Sequence, residues 1–276
     1  MKSVTYIARV DSRAGGRGRE QFDLKRRAFT LAEILIVVGI IAVLIGFLLV
    51  VTRKGGEAAR KVACASNLRQ LAAAFTSYAQ DNEGRYPGAA EIFQTLREDW
   101  IYWDDPRGTF RALNRSPIAK YLGKGDVAAI LRCPSDDVGV RPKQTGAIPY
   151  AYSYSFNYLF SSTRPKNLGP LLRLSSVVDP SRKMMVLDED IASIDDGAWK
   201  PYVFNGSNET FLAIRHDKKR EGWEKQTGVS PLERIDRNDR GNVAFADGHV
   251  DFVPRADTWQ AMYYDPRSTA GRDPLH

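Results

Sequence analysis

The 276-residue chain has two cysteines, Cys64 and Cys133, and three histidines. Two cysteines cannot build a disulfide-dense scaffold. No C-x-x-C or H-E-x-x-H spacing occurs, so the usual zinc-ribbon and metalloprotease patterns are absent. Also missing are a glycine loop of the phosphate-binding type and a nucleophile beside a recognisable base. The chain therefore reads as non-enzymatic, with no catalytic residue assigned. His216, Asp247, His249 and Asp251 are of types that bind divalent ions, which keeps a metal-dependent hydrolase as one alternative. Turn chemistry already accounts for Asp247 and Gly248, so no metal site is assigned. Asp188-Glu189-Asp190 and Asp195-Asp196 lack the EF-hand order and read as solvated loops.

Charge is absent from Ile34 to Val51. With Phe29 to Ala32 in front, this apolar run is long enough to cross a hydrocarbon core as a helix of about 20 residues. Its one acid, Glu33, is costly in lipid, by roughly 2.5 to 3.5 kcal/mol at a helix centre and less toward the interface. The bland reading of Glu33 is an end residue that snorkels. A cleaved secretory signal would have a shorter apolar core closed by a small-x-small site, whereas this run ends in Thr52-Arg53-Lys54. Lys61 before Val62-Ala63-Cys64 likewise disfavours a lipoprotein signal.

The net charge of +7 suggests nucleic acid until it is divided along the chain. Residues 1–28 hold eight Lys or Arg against three acids and so supply +5 of it. No nucleic-acid partner is expected. Basic residues ahead of a first span place its N-terminus in the cytoplasm, which puts the rest of the chain outside it. The Gly- and Arg-rich stretch around residues 13–19 lacks apolar periodicity and is expected to be disordered.

Beyond the apolar run, Cys64, Leu68, Leu71, Phe75 and Tyr78 step by four, three, four and three, an apolar stripe on one helical face. A helix from Phe29 to Gln80 would be about 75 Å long. Gly55-Gly56 predicts a kink or a melted turn, and residues 81–87 predict the end of the helix. From residue 87 the pattern is α+β. Short helices are expected at 89–98 and at 117–122, the second with Ser116 as N-cap and Pro117 at the first helical position. Residues 150–160 place an aromatic at every second position, read as core packing against the long helix rather than as an exposed binding face. Further strands are expected at 183–187, 201–205 and 210–215, with a turn at 205–208. Asp247-Gly248 suits a two-residue type I′ turn, which pairs Ala246 with His249, Phe245 with Val250 and Val243 with Phe252.

Lys25-Arg26-Arg27-Ala28, then Phe29-Thr30-Leu31-Ala32-Glu33 and the apolar run, resemble a type IV prepilin processing signal. The resemblance implies that prepilin peptidase cuts between Ala28 and Phe29 and that Phe29 becomes N-methylated. Ala28 stands where the family usually has Gly. Glu33 becomes the fifth mature residue, neutralised by the N-terminal ammonium of a neighbouring subunit during assembly. The long helix fits the pilin-like α+β fold, packed on an antiparallel sheet. The domains are then a leader at 1–28, a transmembrane helix at 29–52, its amphipathic extension at 53–82 and a globular α+β domain at 83–276.

Further motifs resemble a bacterial prepilin-like family named for a C-terminal H-X9-DG element. They are Cys64-x-x-Asn67-Leu68-x-Gln70-Leu71, Gly84-x-Tyr86-Pro87, Cys133-Pro134-Ser135-Asp136, Ser153-Tyr154-x-x-Asn157 and Phe245-Ala246-Asp247-Gly248-His249. His216 is the counterpart of the family histidine, although 30 residues separate it from Asp247 and break the nine-residue spacing. The resemblance implies a structural subunit of a type IV pilus or type II secretion pseudopilus. Its partners would be prepilin peptidase, other pilin or pseudopilin subunits, and the assembly platform. Its location would be the inner membrane, single-pass, with the C-terminal domain outside the cytoplasm or in a periplasmic or cell-surface filament. No cofactor is expected, apart from calcium at the acidic loops, as in some pseudopilins. An uncleaved membrane-anchored extracytoplasmic binding protein is the other alternative. Cys64 and Cys133 can form a disulfide, which would stabilise by roughly 4 kcal/mol through loop closure, or remain reduced in the core; both readings stay open.

Overall fold

The computed structural model describes residues 30–91, 97–102, 113–140, 150–161, 172–191, 193–200, 210–217 and 238–269, with the side chains of 48–54 left out. The leader with its expected disorder, Ala28, Phe29, the strand at 201–205, its turn at 205–208 and residues 218–237, between His216 and Asp247, lie outside the described residues.

Helix α1 runs from Leu31 to Asp81, 51 residues. Its start is set by a capping box, in which a side chain at each end satisfies a backbone N–H at the other. The Glu33 amide donates to Thr30 Oγ1 (3.2 Å), and the Thr30 amide donates to Glu33 Oε2 (2.8 Å). The helix continues through Gly55 and Gly56 without the expected melted turn, because the loss of about 1 kcal/mol per glycine is small beside continuous backbone hydrogen bonding. It ends as the turn residues predict. Glu83 enters the left-handed region (φ 56°), and the Gly84 amide returns to the Ala79 carbonyl at 2.7 Å, a Schellman closure.

Two compact units divide the chain at Val50/Val51. In the first, the described large apolar side chains are exposed, from Leu31 at 78 % to Phe47 at 71 %. Among the described residues no helix is long and apolar enough to cross a membrane; the described side chains of this stretch stop at Phe47.

In the second unit the predicted stripe is the core-facing side of α1. Cys64, Leu68, Leu71 and Phe75 are fully buried, with Tyr78 at the margin. The sheet has five strands in the order β3-β1-β2-β4-β5: β1 Tyr154–Asn157, β2 Met184–Asp188, β3 Ala198–Trp199, β4 Arg240–Phe245 and β5 Val250–Pro254. Pairing is antiparallel except between β1 and β3, so the sheet is mixed rather than the expected antiparallel one. One face packs on α1 through Phe156, Met185, Val186, Ala244 and Ala246. The other buries Leu187, Val243, Phe245 and Val253 beneath a short helix, α2 Ala261–Tyr264.

Several local expectations are revised. Residues 89–91 and 97–98 are not helical, and residues 92–96 lie outside the described set; Gly88 and Asp99 instead form a parallel bridge. Ser116 caps no α-helix. Its Oγ accepts the Tyr102 amide at 2.8 Å, and only a 3-10 turn follows at Ala119–Tyr121. The aromatics at 150–160 are core, as expected, but only Tyr154–Asn157 is strand and a 3-10 turn covers Tyr158–Phe160. Burial on both sheet faces, not alternation, explains their density. Residues 210–215 contribute one isolated bridge, Glu189 to Leu212, rather than a strand.

The 241–253 hairpin forms with its register one residue from the expected one. Ala244 pairs with Val250, Val243 with Asp251 and Asn242 with Phe252. The Phe245 amide donates to the His249 carbonyl, the Gly248 amide donates to the Phe245 carbonyl, and Gly248 sits at φ 93°. This is a three-residue loop with glycine at the left-handed position, which the same Asp-Gly pair serves as well as a type I′ turn.

Candidate functional site

Three groups of sequence-predicted residues lie at separate places. Glu33 is in the first turn of α1, where Oε2 accepts both the amide and the hydroxyl of Thr30 at 2.8 and 3.0 Å. Sequence reasoning missed this local role, although Thr-x-x-Glu is a recognisable capping signal.

Asp247, Gly248 and His249 occupy the β4–β5 turn. Asp247 Oδ1 accepts the His249 amide at 3.1 Å and lies 2.6 Å from its Nδ1, while the imidazole stacks on Phe245 with ring centres 4.3 Å apart. Both side chains are partly exposed, and their contacts are those of a well-made turn.

His216 is not with them. It belongs to a cluster with Cys64, Cys133 and Asp188, whose donor atoms all lie within 4.8 Å of one another. The Cys64 thiol donates to Asp188 Oδ2 at 3.5 Å, and Cys133 Sγ lies 3.1 Å from His216 Nε2. Both cysteines are buried and free, with their sulfurs within 4.8 Å of each other. Four segments deliver the four side chains. Cys64 comes from the buried face of α1, and Asn67, one turn on, donates to the Arg132 carbonyl at 3.1 Å, holding the segment that carries Cys133. Asp188 ends β2. The Ala213 amide donates to the Asp188 carbonyl at 2.7 Å and brings His216 alongside.

A second layer surrounds these donors. Arg215 Nη2 lies 3.3 Å from Asp188 Oδ1, and its Nη1 lies 2.7 Å from Asp136 Oδ1. The Ser153 hydroxyl donates to Asp136 at 2.6 Å and accepts the Cys133 amide at 2.9 Å. The Cys-Pro-Ser-Asp and Ser-Tyr-x-x-Asn motifs thus meet at the cluster. Asn157 acts elsewhere, donating to the Met184 and Tyr264 carbonyls at 2.8 Å.

Burial sets the protonation of the group. It lowers the His216 pKa to about 4, helped by the Arg215 charge, so the imidazole is neutral near pH 7. It raises Asp188 to about 6 against the opposing pull of Arg215. Cys133 is raised by its thiol hydrogen bond to Cys64, by burial and by the Asp188 charge, so it is a thiol in this state. His216 Nδ1 is buried with no hydrogen-bond partner among the described residues.

Of the acids expected to lie on solvated loops, Asp188, Glu189, Asp190 and Asp196 are buried instead, and Asp195 is half-buried. Glu189 accepts the hydroxyls of Ser155 and Ser193. Asp190 pairs with the buried Arg255 at 2.6 Å, and Asp196 accepts the Ala198 amide.

No curated protein and no solved structure matches the chain. A family model described as the prokaryotic N-terminal methylation motif matches residues 23–49, the stretch that holds Ala28, Phe29, Glu33 and most of the apolar run, and this supports a type IV pilin-like character for that part of the chain.

Proposed function

We propose that the protein is a structural subunit of a type IV pilus-like or type II secretion pseudopilus-like filament, made as a prepilin. Prepilin peptidase removes residues 1–28, Phe29 is N-methylated, and residues 29–52 hold the chain in the inner membrane with the rest outside the cytoplasm. Residues 53–82 extend the helix, and 83–276 form the globular domain. The methylation motif at residues 23–49 carries this reading. The uncharged sequence from Ile34 to Val51 and the exposed apolar side chains from Leu31 to Phe47 support it. So does the resemblance of the globular part to the H-X9-DG prepilin-like family. The subunit is non-enzymatic, and its partners are the peptidase, further pilin or pseudopilin subunits, and the assembly platform.

Glu33 then has two successive roles. In the single chain it closes the capping box with Thr30; in the filament its carboxylate meets the ammonium of an incoming Phe29. Glu33→Gln keeps a side chain that can serve the capping box but removes the charge, whereas Glu33→Ala removes both. Each variant is expressed with wild-type assembly partners, and incorporation is followed by cross-linking. Both are expected to be inserted and cleaved yet left out of the filament. Incorporation of Glu33→Gln at the wild-type level would refute the ion pair as the assembly contact.

A further inference from the structure

We propose that Cys64, Cys133, Asp188 and His216 form a tetrahedral zinc site that ties α1 to the sheet. The four ligands come from the helix, the Cys-Pro turn, the end of β2 and the 210–217 segment, so one ion would fasten four pieces of chain. Nothing in the filament reading requires it, and its test stands apart from that reading.

Ligand geometry favours zinc. With Zn–S near 2.3 Å and Zn–N or Zn–O near 2.0 to 2.2 Å, the edges of a tetrahedral site are roughly 3.4 to 3.8 Å. Two of the pairs are at 3.1 and 3.5 Å, and every pair is within 4.8 Å, so shifts of a few tenths of an ångström up to about one complete the figure. Two sulfurs, an imidazole and a carboxylate suit zinc rather than a hard cation. Calcium takes six to eight oxygens, and this cluster offers one carboxylate. A Cys64–Cys133 disulfide would use two of the four donors and take from Asp188 and His216 the thiols they now contact.

Around Asp188 and Cys133 the second layer has the form that metal ligands need, while His216 Nδ1 has no hydrogen-bond partner among the described residues. Outer groups that orient ligands are a general feature of such sites. Arg215 fixes Asp188, Asp136 fixes Arg215, and Ser153 joins Asp136 to the Cys133 amide. Binding replaces the two thiol protons with metal–sulfur bonds and releases both protons to solvent. In an oxidising compartment the ion would also keep the thiols from pairing.

The test uses the full chain purified in detergent from native membranes, with thiols alkylated at lysis in a parallel sample. Metal analysis should find about one zinc per chain. Replacement with cobalt(II) should give the strong visible bands of a tetrahedral ion together with sulfur-to-cobalt charge transfer. Cys133→Ser and His216→Gln should lose the ion, while His216→Cys, which supplies another zinc ligand, should retain it. Asp136→Asn should weaken binding about 10- to 100-fold, as outer-layer changes do. The wild-type measurements do not depend on any variant folding. Zinc at background level, cobalt spectra without charge transfer, a Cys64–Cys133 disulfide in the alkylated sample, or full zinc in His216→Gln would each overturn the proposal.

Discussion

Replacing Phe75 by alanine should remove a fully buried ring contact between α1 and the sheet. The ring is fully buried and lies face to face with Phe156, with centroids 4.2 Å apart and planes within 8°. Trp100 packs on it at 5.3 Å. Truncating such a side chain costs about 3 to 5 kcal/mol, the lost transfer energy plus the cavity left between two elements that cannot close up. Of this, about 0.5 to 1.5 kcal/mol belongs to the ring pair and should reappear as coupling in a double-mutant cycle with Phe156→Ala. For a unit the size of Val51–His276, each kcal/mol lowers Tm by about 2 to 4 °C. The expected drop is therefore about 6 to 20 °C by that conversion. Thermal unfolding followed by circular dichroism measures it. A loss under about 1 kcal/mol, ordinary for a surface change, would refute the packing of this helix face on β1.

Gly241→Ala should cost at least about 1 to 3 kcal/mol from overpacking, because a Cβ there would collide with the Ala213 carbonyl oxygen and meet Leu212 Cγ at 2.6 Å; denaturant unfolding reads the loss. Arg255→Ala should cost about 3 to 5 kcal/mol, since it removes one half of a buried ion pair with Asp190 and the guanidinium donor that the Leu212 carbonyl accepts; the same assay applies. Burial raises the Glu189 pKa well above its usual value despite the Ser155 hydroxyl. A raised acid pKa contributes stability that is complete below the unfolded pKa of about 4.3 and is lost as pH rises through the folded one. Glu189→Gln should therefore gain stability relative to wild type as pH increases; a difference that is flat across pH would contradict the assignment.

The apolar stripe on α1 was legible because its period is local and its burial nearly continuous. Strand β2 and the 241–253 hairpin were legible for the same reason, as short β-rich runs bounded by turns. The hairpin register was not, since Asp-Gly serves two loop lengths that differ by one residue. At 150–160 the alternation pointed to one aromatic face, but a strand buried on both sides carries no alternation signal, and its short length came from the 3-10 turn after Asn157. Thr30-x-x-Glu33 was written plainly and eclipsed by the cost of an acid in lipid. The Cys64, Cys133, Asp188 and His216 cluster was opaque for a deeper reason. Its members are spread over four segments without a spacing rule, so only tertiary structure could bring them together.

The most direct measurement is the mass of the mature N-terminus, taken on protein from native membranes with prepilin peptidase present and absent. A filament subunit begins at N-methyl-Phe29 when the peptidase is present and keeps residues 1–28 when it is absent. Residues 1–28 still attached in both samples would contradict processing between Ala28 and Phe29 and would favour an anchored, unprocessed protein instead.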